Sequence, residues 1–268
     1  MFKLISKLTN YLSMAAAYVR LNFFAQMEYK AAFWSQVLGM ILNNCVWIVF
    51  WTVFFKRFDN LGGWTVKDVL TVWSISGGGF GLAYSVCGNA LSLSSIISRG
   101  QLDAWMLYPR ALLSHLLVGR MSATAFGDIL FAVIIYVGFV KPDLPHFLWF
   151  SILVVSAAMV FVGFSVFTSC LSFYLGNAEG LAETARFALV TFSTYPASLF
   201  EGALKLLLYT VIPAGLVSYL PVEALRDLSI ELTLMCFGGS LTILAVGVIL
   251  FYWGLRRYES GNLMEMRG

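Results

Sequence analysis

Apolar residues run through this chain in long stretches, cut by short polar breaks. The stretches fall near 32–55, 66–97, 112–140, 147–175, 187–196 and 232–255. A helix needs about 20 apolar residues to cross the hydrocarbon of a bilayer, and every run but the shorter 187–196 reaches that length. A barrel would instead alternate apolar and polar residues in segments of about 10, and these runs do not alternate. The pattern therefore predicts an all-α polytopic membrane protein of six transmembrane helices, organised as one domain over 1–268.

The polar interruptions carry patterns of their own. In 1–30, Leu4, Leu8, Tyr11, Ala15 and Tyr18 recur at helical spacing, and Asn22 takes the next position and ends the stripe. Lys3, Lys7, Asn10 and Arg20 fall largely off it. That is an amphipathic helix with a basic face, suited to an anionic cytoplasmic leaflet. It reads equally as a plain anchor or as a lever linking a cytoplasmic partner to the first span. No unbroken apolar core precedes a small-residue cleavage site, so a signal peptide is not expected there.

The break at 98–110 reads SRGQLDAWMLYPR. Gly100 stops one helix and Pro109 marks the start of the next, since a helix accepts proline only in its first turn. Between them Gln101 and Asp103 alternate with Leu102, Trp105, Met106 and Leu107. This is a short amphipathic helix where a span turns back. It is either an interfacial loop helix with Trp105 at the headgroups, or an apolar face offered to a groove on a partner.

The stretch 201–230 is apolar enough for a seventh span but contains Lys205, Pro213 and Gly215, with Pro221 beyond. Charge asymmetry decides against a crossing. With six spans and the N-terminus inside, eleven Lys and Arg lie on the inner segments and six on the outer ones. A seventh crossing would put Arg256 and Arg257 outside. The stretch is therefore expected to be a re-entrant pair of short helices, with Tyr195, Pro196, Glu201, Pro213 and Pro221 forming an outer gate. Broken backbone at that depth needs protein or water around it.

Composition removes other classes. The chain is 60% hydrophobic and only 12% charged, where soluble domains carry about 25% charged residues. A net charge of +3 is too small to suggest nucleic acid. Cys45, Cys87, Cys170 and Cys236 lie singly in apolar runs and give neither a disulfide framework nor a metal site. His115 and His146 are isolated, so no histidine-based metal or nucleophile site and no catalytic residue is expected.

Within the spans, the polar residues are the informative ones. Asn43 and Asn44 in the first span and Asp128 in the third must face other helices or a polar path. A carboxylate at mid-span costs about 2.5–3.5 kcal/mol on insertion scales unless satisfied. Gly77, Gly78, Gly79, Gly81 and Gly88 crowd the second span. No GxxxxGK[ST] pattern follows them, so close helix packing is the better reading.

In this order, four features resemble the membrane subunits of ABC-2 type (type V) ABC transporters. They are the basic amphipathic helix at 1–30, RGQLDAWMLYP between spans two and three, YPASLF ending span five, and IPAG with YLP before the last span. The resemblance covers the whole chain and is narrowest for small, separately encoded permeases of an uncharacterised subfamily. It implies that Gly100, Gln101, Leu102, Asp103, Trp105, Leu107 and Pro109 form the coupling helix that docks into an ATPase. It also implies a dimer of ABC ATPase subunits, which bind ATP and Mg, and a second permease, the same or a related chain. The location implied is the bacterial inner membrane, with both termini cytoplasmic. Export is favoured because nothing matches a periplasmic binding-protein dock. Two other readings compete: an intramembrane lipid-modifying enzyme using Arg120, Asp128 and Glu183, and a secondary transporter. The first lacks paired carboxylates on one span, and the second lacks matching broken halves.

Overall fold

The computed structural model describes residues 2–58 and 62–258, the side chains of 2–12 and of Ala197 apart. The expected stripe positions Leu4, Leu8 and Tyr11, and Lys3, Lys7 and Asn10 off it, lie outside the described side chains. Every regular element among the described residues is helical. Helix α1 (Phe2–Met27) is followed by α2 (Lys30–Arg57) and α3 (Val66–Val86). Short helices α4 (Leu93–Ser98), α5 (Leu102–Met106) and α6 (Leu112–Val118) come next. Then follow α7 (Thr124–Ile135), α8 (Leu144–Ser169), α9 (Ser172–Leu175) and α10 (Glu179–Ser193). The chain closes with α11 (Gly202–Thr210), α12 (Leu220–Arg226) and α13 (Ile230–Gly254).

Four helical stretches are long and apolar enough to cross a membrane: Lys30–Arg57, Val66–Val86, Leu144–Leu175 and Ile230–Arg257. A bent pair, Gly202–Thr210 with Gly215–Arg226, would make five if it were one span, but its halves meet at 78°. Thr124–Val140 is apolar but shorter.

The six expected runs therefore change in three places. Run 66–97 is not one helix: α3 ends at Val86 and the chain turns through a 3-10 segment, Gly88–Leu91, into α4. Run 112–140 is broken between α6 and α7. The two breaks hold each other, with Gly88 N–H donating to Arg120 O at 2.9 Å and Ser122 N–H to Tyr84 O at 3.0 Å. Each break satisfies the backbone groups that the other frees. Arg120 is thus an exposed residue of the break and not a charge within a span. The fifth run is the upper part of α10, which starts eight residues earlier in the polar loop, at Glu179.

The core lies where α8 packs along α13 and α3, with α3 also lying on α7 and α2 on α7. Small residues permit these approaches. A Cβ added at Gly79 would come within 2.6 Å of Ala157 Cβ, and one at Gly81 within 2.6 Å of Ala125 O. The glycines of the second run thus serve close packing. Between α8 and α13 the contact is reciprocal: a Cβ at Gly163 would meet Leu244 Cα at 2.8 Å, and one at Gly247 would meet Gly163 O at 2.7 Å.

At α1 the packed stripe includes Met14, Ala15, Tyr18, Val19, Asn22 and Phe23, all half-buried, while Arg20, Leu21 and Phe24 are exposed. Asn22 does not end the stripe. Its Nδ2 donates to Val118 O at 3.1 Å and fastens α1 to α6.

Candidate functional site

Three groups of predicted residues can be followed to their places. The first is the turn around α5. Gly100 has φ +70°, the left-handed conformation that glycine adopts without penalty. Gly100 N–H donates to Ile97 O at 3.2 Å and Gln101 N–H to Ile96 O at 3.0 Å. This pair of bonds is the Schellman arrangement that ends α4 and aims the chain into α5.

The sequence put Trp105 and Leu107 on one outward face, and the structure separates them. Leu102 is fully buried and Trp105 is half-buried, packed on the core. Leu107 is 85% exposed, and Met106, Tyr108, Pro109 and Arg110 are exposed beside it. Gln101 is exposed as the N-cap of α5. Asp103 is half-buried, beside Tyr258. Burial first, and then the Asp103 carboxyl, push the Tyr258 phenol up to about 12, so it stays neutral beside α5.

His115 holds this turn to the body, a role its isolation in sequence did not suggest. The side chain is 3% exposed. Trp105 lies at 5.2 Å, Tyr108 at 4.9 Å and Tyr18 at 5.4 Å, all edge-on to its ring. The Tyr18 hydroxyl and His115 Nε2 share a hydrogen bond of 2.5 Å. A Cβ at Gly119 would reach 2.3 Å from Trp105 Cη2, so the indole abuts the α6 terminus. Three segments distant in sequence thus share one aromatic cluster, which is why no local pattern announces it. A cleft of about 400 Å³ lies close by, lined by residues that include Ile97, Ser172, Asn177 and Tyr258.

The second group lies among the long helices. Asn44 Nδ2 donates to Asp128 Oδ1 at 2.7 Å, joining α2 to α7. Asn43 is exposed beside it, with Nδ2 3.5 Å from Asn44 Oδ1. All three line a cavity of about 180 Å³ with Trp73, Ser76 and Thr194. Of the three, Asn44 and Asp128 satisfy each other between helices, and Asn43 stays exposed beside them.

The third group is the bent pair. Tyr195 packs edge-on against Trp51 at 5.8 Å, and Pro196, Pro213 and Pro221 are buried. Glu201 is exposed at the start of α11. The pair is fastened at two points. The Tyr219 hydroxyl donates to Phe192 O. Arg226 Nε donates to Asp68 Oδ1 at 2.9 Å, and its guanidinium lies 5.2 Å from the Trp64 ring. Asp68 also closes the capping box with Thr65 at the start of α3.

Long apolar helices, a sharply bent helical pair and a short turn stapled beneath them define a polytopic helical membrane protein. A family model described as an ABC-2 family transporter protein matches residues 41–261, and the chain belongs to that family. It is a membrane permease of an ABC transporter. No curated protein and no solved structure matches it.

Proposed function

We propose that this permease is an exporter subunit driven by a separate ATPase, with the α5 turn as the docking point. The carrying observation is the division of labour within the turn. Leu102 and Trp105 anchor it to the body, while Leu107 stands 85% exposed at its tip with Met106 and Tyr108 beside it. An exposed apolar tip on an anchored base is what a groove on a partner would grip. ATP and Mg belong to that partner. Motion of the tip would pass through His115 to α1, and through the paired breaks at Gly88 and Ser122 to α3.

In this reading the chain sits in a bacterial inner membrane, with α1 and the α5 turn on the cytoplasmic face. A crossing by Thr124–Val140 and another by α10 would complete six spans. The bent pair α11–α12 then enters and leaves the outer leaflet and caps the path. A second permease, the same chain or a related one, completes that path. The exposed apolar surface of α2, including Leu38, Leu42, Val46 and Val49, supports a lipid-facing or partner-facing position for that helix.

The test is co-purification of the tagged permease with the ATPase it travels with. Leu107→Asp should insert and elute like the wild type and lose the ATPase. Loss of about 2 kcal/mol at an anchor residue weakens association about 30-fold. A Leu107→Asp variant that keeps its ATPase and transports normally would remove the docking assignment.

A further inference from the structure

The cavity beside Asp128 has a feature that helix packing does not account for. Asn44 satisfies one carboxyl oxygen of Asp128, but Oδ2 is buried and has no hydrogen-bond partner. Trp73 Nε1 is likewise buried and unpartnered. Asp128 is 5% exposed and Trp73 8% exposed, and both line the same cavity. The two hydroxyls there have partners outside the lining: Ser76 shares a bond with Ser193 at 2.8 Å, and Thr194 donates to Thr191 O at 2.8 Å. Buried polar groups are rarely left in this state, so two in one cavity call for a shared explanation.

No described cationic side chain forms an ion pair with Asp128: the described pairs are Arg99–Glu179, His146–Asp143 and Arg226–Asp68. The cavity is lined by an acidic residue with a free acceptor oxygen, an indole with a free N–H, and apolar walls from Met40, Phe80 and Val190. Its volume of about 180 Å³ is more than ten times the roughly 10–15 Å³ that a single water needs. It is large enough for the head of an amphiphile. Its lining also includes Asn43 on α2, which is exposed, and Val190 on α10 is half-buried.

We propose that this cavity is a substrate subsite for the head of an amphiphilic amine, an ammonium with an acceptor oxygen on a neighbouring carbon. The ammonium donates to Asp128 Oδ2, the oxygen accepts from Trp73 Nε1, and the apolar tail leaves past Val190. Asn44 holds the carboxyl in place as a positioning residue. The inference rests on the permease reading, and it names the substrate class for the same path.

The experiment uses the full-length permease in nanodiscs of choline lipid, whose headgroup has no N–H to donate, with empty discs as the baseline. The probe is tritiated 1-amino-2-dodecanol. Dodecylamine lacks the oxygen and 1,2-dodecanediol lacks the charge. Saturable binding of the probe is expected, with unlabelled probe the best competitor. Asp128→Asn should weaken it about tenfold or more, the range for losing a charge-assisted contact, and remove the advantage over the diol. Trp73→Phe keeps a ring in place and should remove the advantage over dodecylamine, so the proposal stays testable if Asp128→Asn does not fold. Replacing half the choline lipid by ethanolamine lipid separates two sources of the same chemistry. Displacement of the probe supports a bilayer lipid as occupant, and continued binding supports a free amphiphile. Non-saturable binding, equal competition by the diol, or wild-type affinity in either variant would overturn the proposal. Because no ATPase is present, that failure is distinct from a failure of the docking reading.

Discussion

His115 shows what a single residue can do once its surroundings are known. Three aromatic rings surround it, and its ring nitrogen shares a hydrogen bond with Tyr18 on α1. Replacing it by alanine should leave the exposed Leu107 tip intact while loosening its base. The expected cost is about 1–3 kcal/mol, the common range for disturbing a buried network. His115→Ala should therefore still bind the ATPase but transport slowly. Single-turnover transport measured beside co-purification separates the two effects; loss of ATPase binding would mean that the cluster shapes the docking face itself. The contrast with Trp105 belongs here too. Trp105→Ala should lower thermal stability because the indole fills the space against Gly119, whereas Leu107→Ala should not. Melting of the two variants in detergent checks this.

At the scale of elements, the contact between α8 and α13 is the most exacting. Gly163 and Gly247 meet backbone to backbone, so an added side chain has no flexible neighbour to displace. Gly163→Val should cost about 1–3 kcal/mol and reduce the yield of folded protein, while a valine at Gly238, which faces open space, should be tolerated on packing grounds. Size-exclusion profiles of the two variants read the difference. The bent pair is a second case. Arg226 joins α12 to Asp68 at the start of α3 with 2.9 Å contacts, and Asp68 side-chain exposure is only 16%. Arg226→Glu should release the pair from α3 and increase labelling of cysteines placed along α12. Adding Asp68→Arg should restore part of the protection. No recovery in the double variant would assign the effect to the lost contact of Arg226 with Trp64 or to the lost cap between Thr65 and Asp68.

For the whole molecule, the decisive question is which side each segment faces. Under the proposed re-entrant reading, the pair that bends by 78° between Gly202–Thr210 and Gly215–Arg226 returns to the side it came from. In a background without native cysteines, Gly202→Cys and Glu223→Cys should both react with an impermeant thiol reagent added from outside. Each full crossing exchanges the sides, and a helix pair that turns back does not. Outside labelling of the first and inside labelling of the second would make the pair a span and move the C-terminus across the membrane.

Apolar run length, on its own, established the all-helical membrane class, because a backbone in lipid must satisfy its own hydrogen bonds. It placed α2, α8 and α13 closely, since each is a continuous run with no internal break. The proline and glycine punctuation of 201–230 also marked the bend correctly as broken helix. The sequence could not show that runs 66–97 and 112–140 break at matching points. Those breaks are stable only because Gly88 and Ser122 bond across to Arg120 and Tyr84, contacts between segments more than 30 residues apart. The same holds for the sites. Their place inside apolar runs identified Asn43, Asn44 and Asp128 as polar residues needing company, but not that Asn44 and Asp128 meet. An amphipathic pattern located the turn at 98–110, and only packing determined that Trp105 faces inward and Leu107 outward. Local pattern reports what a segment must bury; the neighbours that bury it are fixed by the folded chain.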